Sequence, residues 1–154
     1  MRTLPIVAIA LISTGCDPHT DSTFFRQANT ATPLPAVATL AGTTILSVTI
    51  PEGTWRAHAV VNLAGANATE NQTTCAILAN ATPPFLSSAS LSVGTGAGQT
   101  RFGQIVIDAA VKTTTASSTI DVACKQEGGG AVAQSSAIVL GTSTLLVTTA
   151  PTLR

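Results

Sequence analysis

Two cysteine-bearing segments constrain this chain most: Thr73-Thr74-Cys75-Ala76-Ile77-Leu78 and Thr119-Ile120-Asp121-Val122-Ala123-Cys124. Each alternates apolar and polar or small side chains, the pattern of a half-buried β-strand. Cys75, Ile77 and Ala79 share one parity, and Ile120, Val122 and Cys124 share another. A strand sends alternate side chains to opposite sides, so both thiols are expected in one apolar layer. Sulfurs placed in this way are expected to form a disulfide, either across or within a β-sandwich.

The same period of two recurs along the chain, with turn residues between the runs. A β-branched stretch at 44–50 ends at Pro51-Glu52-Gly53, a strong turn. From Trp55 onward, Ala57, Ala59, Val61 and Leu63 share its face, with Arg56, His58, Val60 and Asn62 opposite. The Cys75 strand is expected to stop at Pro83-Pro84, and Ala89, Leu91 and Val93 to form the next inner face. In 102–111, Gly103, Ile105, Ile107, Ala109 and Val111 stand against Phe102, Gln104, Val106 and Asp108. A last long strand at 137–149 is expected to bend at Gly141. No window sustains an apolar stripe at helical spacing. Composition agrees: 9% of the residues are charged and 3% aromatic, against about 25% charged in average globular proteins. Threonine and valine are stiff at χ1 and pack well on a pleated surface. The expected fold is all-β, an antiparallel β-sandwich of about eight strands of jelly-roll or Greek-key type. An immunoglobulin-like sandwich is the alternative, although Trp55 precedes both cysteines rather than lying between them.

The N-terminus carries one arginine, an apolar run at 4–12 and then Ser13-Thr14-Gly15-Cys16. This is the layout of a secretory signal peptide. Nine residues of helix reach about 14 Å, roughly half a hydrocarbon core, so the run is too short to span a membrane. Thr14, Gly15 and Cys16 resemble a bacterial lipobox, whose cysteine is acylated and becomes the new N-terminus; Ser13 departs from the usual aliphatic residue. The resemblance implies a lipid-anchored, extracytoplasmic protein, with simple secretion as the alternative. It also accounts for the third cysteine: with Cys16 lipidated, Cys75 and Cys124 remain as a pair. The expected organisation is a signal peptide at 1–15, a lipid-anchored flexible spacer at 16–36 and a β-sandwich domain at 37–150. Phe24-Phe25 stands out in the spacer, expected either to dock on the domain or to rest in the lipid interface.

Pro51, Gly53, Trp55, Cys75, Cys124 and the apolar run 137–140 resemble the pattern of bacterial secreted β-sandwich modules. That resemblance implies a surface module and brings no catalytic residues.

Seven basic residues balance seven acidic ones, so there is no basic patch for a nucleic-acid backbone. His19 lies in the expected spacer and His58 on the polar face of a strand, where an exposed structural role is expected. No Gly-x-Ser-x-Gly elbow is present, the carboxylates are scattered, and the glycine-rich 94–100 lacks the lysine of a phosphate loop. No cofactor, metal site or catalytic residue is expected. The reading is a surface protein with a structural or interaction role, no enzymatic activity and an unidentified glycan or protein ligand. The alternatives are a carbohydrate-binding module and, behind it, a weak hydrolase using His58.

Overall fold

Alternation becomes ten strands in a computed structural model that describes residues 22–34, 42–66, 71–80, 82–93, 100–127 and 137–150. The expected signal peptide, Cys16, His19 and the glycine runs 94–98 and 128–130 lie outside those residues. The strands are β1 (Thr23–Gln27), β2 (Thr32–Pro33), β3 (Thr43–Ile50), β4 (Gly53–Ala66) and β5 (Asn71–Ala79). They continue as β6 (Thr82–Val93), β7 (Thr100–Thr113), β8 (Ser118–Glu127), β9 (Ala137–Val139) and β10 (Thr144–Thr149).

All pairings are antiparallel and fall into two sheets. In sheet I, β4 takes β7 along one side over its whole length. Along its other side lie β10, against its first half, and β9, against its second. Outside them, β1 pairs with β10 and β2 with β9. β9 and β10 are thus one strand interrupted at 140–143, and β1 and β2 are one strand interrupted at 28–31. Sheet II runs β3-β8-β5-β6. Counting each interrupted strand once gives eight, with sheets ordered 1-8-3-6 and 2-7-4-5 along the chain. The chain crosses between sheets at nearly every connection, leaving β5–β6 as the one pair of consecutive strands hydrogen-bonded to each other. That is the double Greek key of a jelly roll.

The inner faces are those of the apolar parity. Trp55, Ala57, Ala59, Val61 and Leu63 of β4 are buried, as are Ile105, Ile107, Ala109 and Val111 of β7. Leu46, Val48 and Ile50 of β3 and Ile120, Val122 and Cys124 of β8 face them from sheet II. Each fully buried Val, Leu or Ile contributes about 1.5–3 kcal/mol.

Cys75 and Cys124 are directly opposed in neighbouring strands β5 and β8, and the structure bonds them, with Cα atoms 4.0 Å apart. The bridge lies within sheet II rather than between the sheets. Gly42 sits beside it with φ +64°, and a Cβ there would come within 2.6 Å of the Cys124 carbonyl oxygen. Any side chain at 42 would force the backbone of β8 away. Thr73, on the same face as Cys75, is fully buried and its hydroxyl has no hydrogen-bond partner. Thr73→Val keeps the shape and removes that orphan, so it is expected to raise the unfolding free energy by about 1 kcal/mol in a urea titration.

The bend expected at Gly141 is a turn of four residues. The Ser143 N–H donates to the Leu140 carbonyl at 3.0 Å, and the Leu140 N–H donates to the Asn62 carbonyl at 2.8 Å. The buried Ser143 hydroxyl takes the missing place in the ladder by accepting from the Asn62 N–H at 3.0 Å. Ser143→Ala leaves that part-buried N–H without its acceptor. Its expected cost is about 1–3 kcal/mol, measured as a lower denaturation midpoint at an unchanged m-value.

Two expectations are corrected. The segment 16–36 was expected to be a spacer, yet β1 and β2 lie within it and form the outer strand of sheet I. Adjacent Phe24 and Phe25 break the apolar alternation, and an edge strand covered on one side needs few apolar residues, so the segment carries no sustained period. Phe24 packs edge-on against Trp55, with ring centroids 5.5 Å apart, while Phe25 points outward and is exposed. Pro83 and Pro84 were expected to end the Cys75 strand, but that strand stops at Ala79 and both prolines lie in β6. An edge strand has one side free of partners, where a missing N–H removes no ladder bond.

Candidate functional site

The solvent face of sheet I gathers the exposed polar and apolar candidates. Register sets its rows. Phe25, Leu146, His58 and Asp108 line up across the four strands, followed by Gln27, Thr144, Val60 and Val106. Asn62 then stands opposite Gln104, and Ala64 opposite Phe102. Phe25, Val106 and Phe102 are exposed, Phe102 at 73%.

His58 is hydrogen-bonded across strands to Asp108, with Nδ1 donating to Oδ1 at 2.9 Å. A serine hydrolase would need a hydroxyl nucleophile on the far side of that imidazole. The residues flanking His58 in the register are Leu146, Asp108, Arg56, Val60, Thr144 and Thr148, with no serine among them. Both members of the pair are substantially exposed, His58 at 43% and Asp108 at 64%, where water screens the interaction and it adds little to stability. Among the described residues, no three His, Cys, Asp or Glu side chains cluster closely enough to hold a metal ion.

A polar ladder crosses the bend of the last strand. The Gln104 Nε2 donates to Asn62 Oδ1 at 2.9 Å, and Asn62 Nδ2 donates to both the carbonyl and the hydroxyl of Thr142 at 3.2 Å. Phe102 and Leu140 flank the ladder, and together these side chains line a shallow, open cavity of about 500 Å³. Alternation in 55–63 and 102–111 places Asn62, Phe102, Gln104 and Asp108 on the outer face. Their partners come from cross-strand register, which no local pattern encodes. Among the described residues, the exposed aromatics do not form a pair. Phe25 and Phe102 lie on opposite edges of a four-stranded sheet, about 14 Å apart across the strands and roughly 20 Å along them.

No protein-family model matches the chain, and no curated protein matches it. Solved structures do. Particles of T=1 symmetry derived from infectious bursal virus match with a TM-score of 0.50 and 13% identity, over 93% of this chain and 37% of that one. The fold is a jelly roll. The T13 particle of the same virus matches at a TM-score of 0.47 with 14% identity, over 93% of this chain and 36% of that one. A subviral particle of infectious bursal disease virus gives 0.46 and 13%, over 92% and 38%. The chain therefore spans little more than a third of the length of these neighbours, and the likeness is one of fold.

Proposed function

We propose that this chain is an extracytoplasmic jelly-roll module, tethered by lipid on Cys16, that works by holding a partner and not by catalysis. The observation that carries the reading is the solvent face of sheet I. Among the described residues, its one histidine–carboxylate pair lies on open strand surface with no serine among its register neighbours, while Phe25, Val106 and Phe102 are offered to solvent. The virus-derived particles that share the fold are an instance of jelly rolls in a structural role. The Cys75–Cys124 bridge suits an oxidising compartment. Intact mass of the membrane-extracted full chain tests the tether: a diacyl or triacyl adduct on a chain beginning at Cys16 is expected. Unmodified soluble protein with another N-terminus would refute it. For the absence of catalysis, the check is a panel of ester, glycoside and peptide substrates. Turnover that His58→Ala abolishes would overturn it.

A second reading, glycan binding, is favoured by Phe102. An exposed ring beside the Asn62–Gln104–Thr142 ladder combines a stacking surface with amide and hydroxyl groups. A glycan array separates the two readings: binding lost in Phe102→Ala and kept in Phe25→Ala would support it.

A further inference from the structure

We infer that the partner held by this module is a second copy of the chain, added edge to edge along β7 in a twofold-symmetric, antiparallel register centred on Ala110. The inference rests on the non-catalytic interaction reading above and names its partner.

An unpaired edge strand exposes a row of N–H and C=O groups that another strand can take up, so folded chains usually blunt their edges with bulges, prolines or interruptions. Three of the four edges here are blunted. The β1/β2 edge is broken after five residues and carries Pro33. β3 meets its neighbour with a register shift between Thr44 and Leu46. β6 contains Pro83 and Pro84, and its pairing with β5 shifts between Ile77 and Ala79. β7 has no such bulge, proline or interruption, although β6 of sheet II packs close beside it. Its 14 residues pair with β4 without a break from Thr100 to Thr113, they include no proline, and its other side pairs with no described strand.

The charges on the outer face of β7 make that edge self-complementary. Asp108, Ala110 and Lys112 share the solvent parity and are all exposed. Lys112 has no ion-pair partner among the described residues. Asp108 gives one oxygen to His58, and its second oxygen makes no described bond. In an antiparallel pair centred on Ala110, each Asp108 stands opposite Lys112 of the second copy, twice by symmetry, and Ala110 faces itself. Opposite charges placed directly across a strand pair attract, and like charges repel. Sliding the register by two residues in either direction, which keeps the faces matched, removes both ion pairs. The paired edges would join two four-stranded sheets into one continuous sheet, the β-addition mode of recognition.

Two measurements on the full-length chain in nonionic detergent test this. The first is a disulfide trap. Residues directly opposed in antiparallel strands have Cα atoms about 4.5–5.5 Å apart, within disulfide reach; the native Cys75 and Cys124 are already bonded to each other, and the parent chain run alongside reports any dimer made through Cys16. Ala110→Cys is therefore expected to run as a covalent dimer on a non-reducing gel, and Val106→Cys, four residues off the axis, as a monomer. The second is a charge-reversal cycle by sedimentation velocity. Lys112→Asp and Asp108→Lys should each weaken the dimer about 10- to 100-fold, and the double swap should restore it. Because Lys112→Asp leaves the His58–Asp108 bond intact, it separates the interface from that contact. A monomer at all concentrations, no Ala110→Cys dimer, or a dimer indifferent to both reversals would overturn the inference. None of these results would bear on the lipid tether or on the absence of catalysis.

Discussion

Trp55→Ala is expected to lower the unfolding free energy by about 3–5 kcal/mol, a fall of roughly 10–20 °C in Tm for a domain of this size. Trp55 is the one tryptophan in the chain and is 3% exposed at the start of β4. Its ring supports three neighbours. The indole N–H donates to the Pro51 carbonyl at 3.2 Å and so holds the turn by which the chain passes from sheet II to sheet I. The indole ring meets Phe24 in a T-shaped contact, fastening β1 to the sandwich. Gly53 packs against the same ring so closely that a Cβ would lie 3.1 Å from its nitrogen. Truncation removes a large buried volume beside Ala57, which is too small to collapse into the hole. Thermal melts of the mutant and of Phe24→Leu would check this, the latter with a smaller loss. A Trp55→Ala protein that melts like the parent would move this ring out of the core.

Removing the bridge by Cys75→Ala with Cys124→Ala is expected to cost about 2–4 kcal/mol while the far-ultraviolet β signature survives. The linked residues are 49 apart in sequence, and the chain-entropy model for such a loop gives about 4 kcal/mol. The closed loop contains β6 of sheet II and β7 of sheet I, so the bridge restrains in the unfolded chain the excursion that must cross between the sheets. Alanine is the better replacement than serine, because both positions are completely or almost completely buried and a hydroxyl there would need a partner. Chemical denaturation with and without reductant gives the comparison. Free thiols titrating at these positions in unfolded, unreduced protein would contradict the bond.

Little of the candidate face could be read in advance. Parity alone sent His58, Asn62, Phe102, Gln104 and Asp108 outward, and they are there. Which of them touch is a matter of register. His58 meets Asp108 fifty residues away, and Asn62 meets Thr142 eighty residues away, because β4 lies between β7 and the last strand. A hydrolase built on His58 was one of the alternatives at the level of sequence. Among the described residues, the register neighbours on either side of the ring are Leu146 and Asp108, neither of them a serine.

The sequence by itself determined the fold class and the two faces of most strands. Alternation is a local property, and a period of two assigns each side chain a side without reference to the rest of the chain. That is why the inner rows from Trp55 to Leu63 and from Ile105 to Val111, and the apolar parity of both cysteines, were legible. Tertiary structure alone decided which strands are neighbours. It put Cys75 opposite Cys124 inside one sheet, made the Phe24 segment the outer strand of the other, and closed the kink at Gly141 with the Ser143 hydroxyl. Each of these depends on pairings between residues dozens of positions apart, chosen by how the whole set of inner faces can be buried at once.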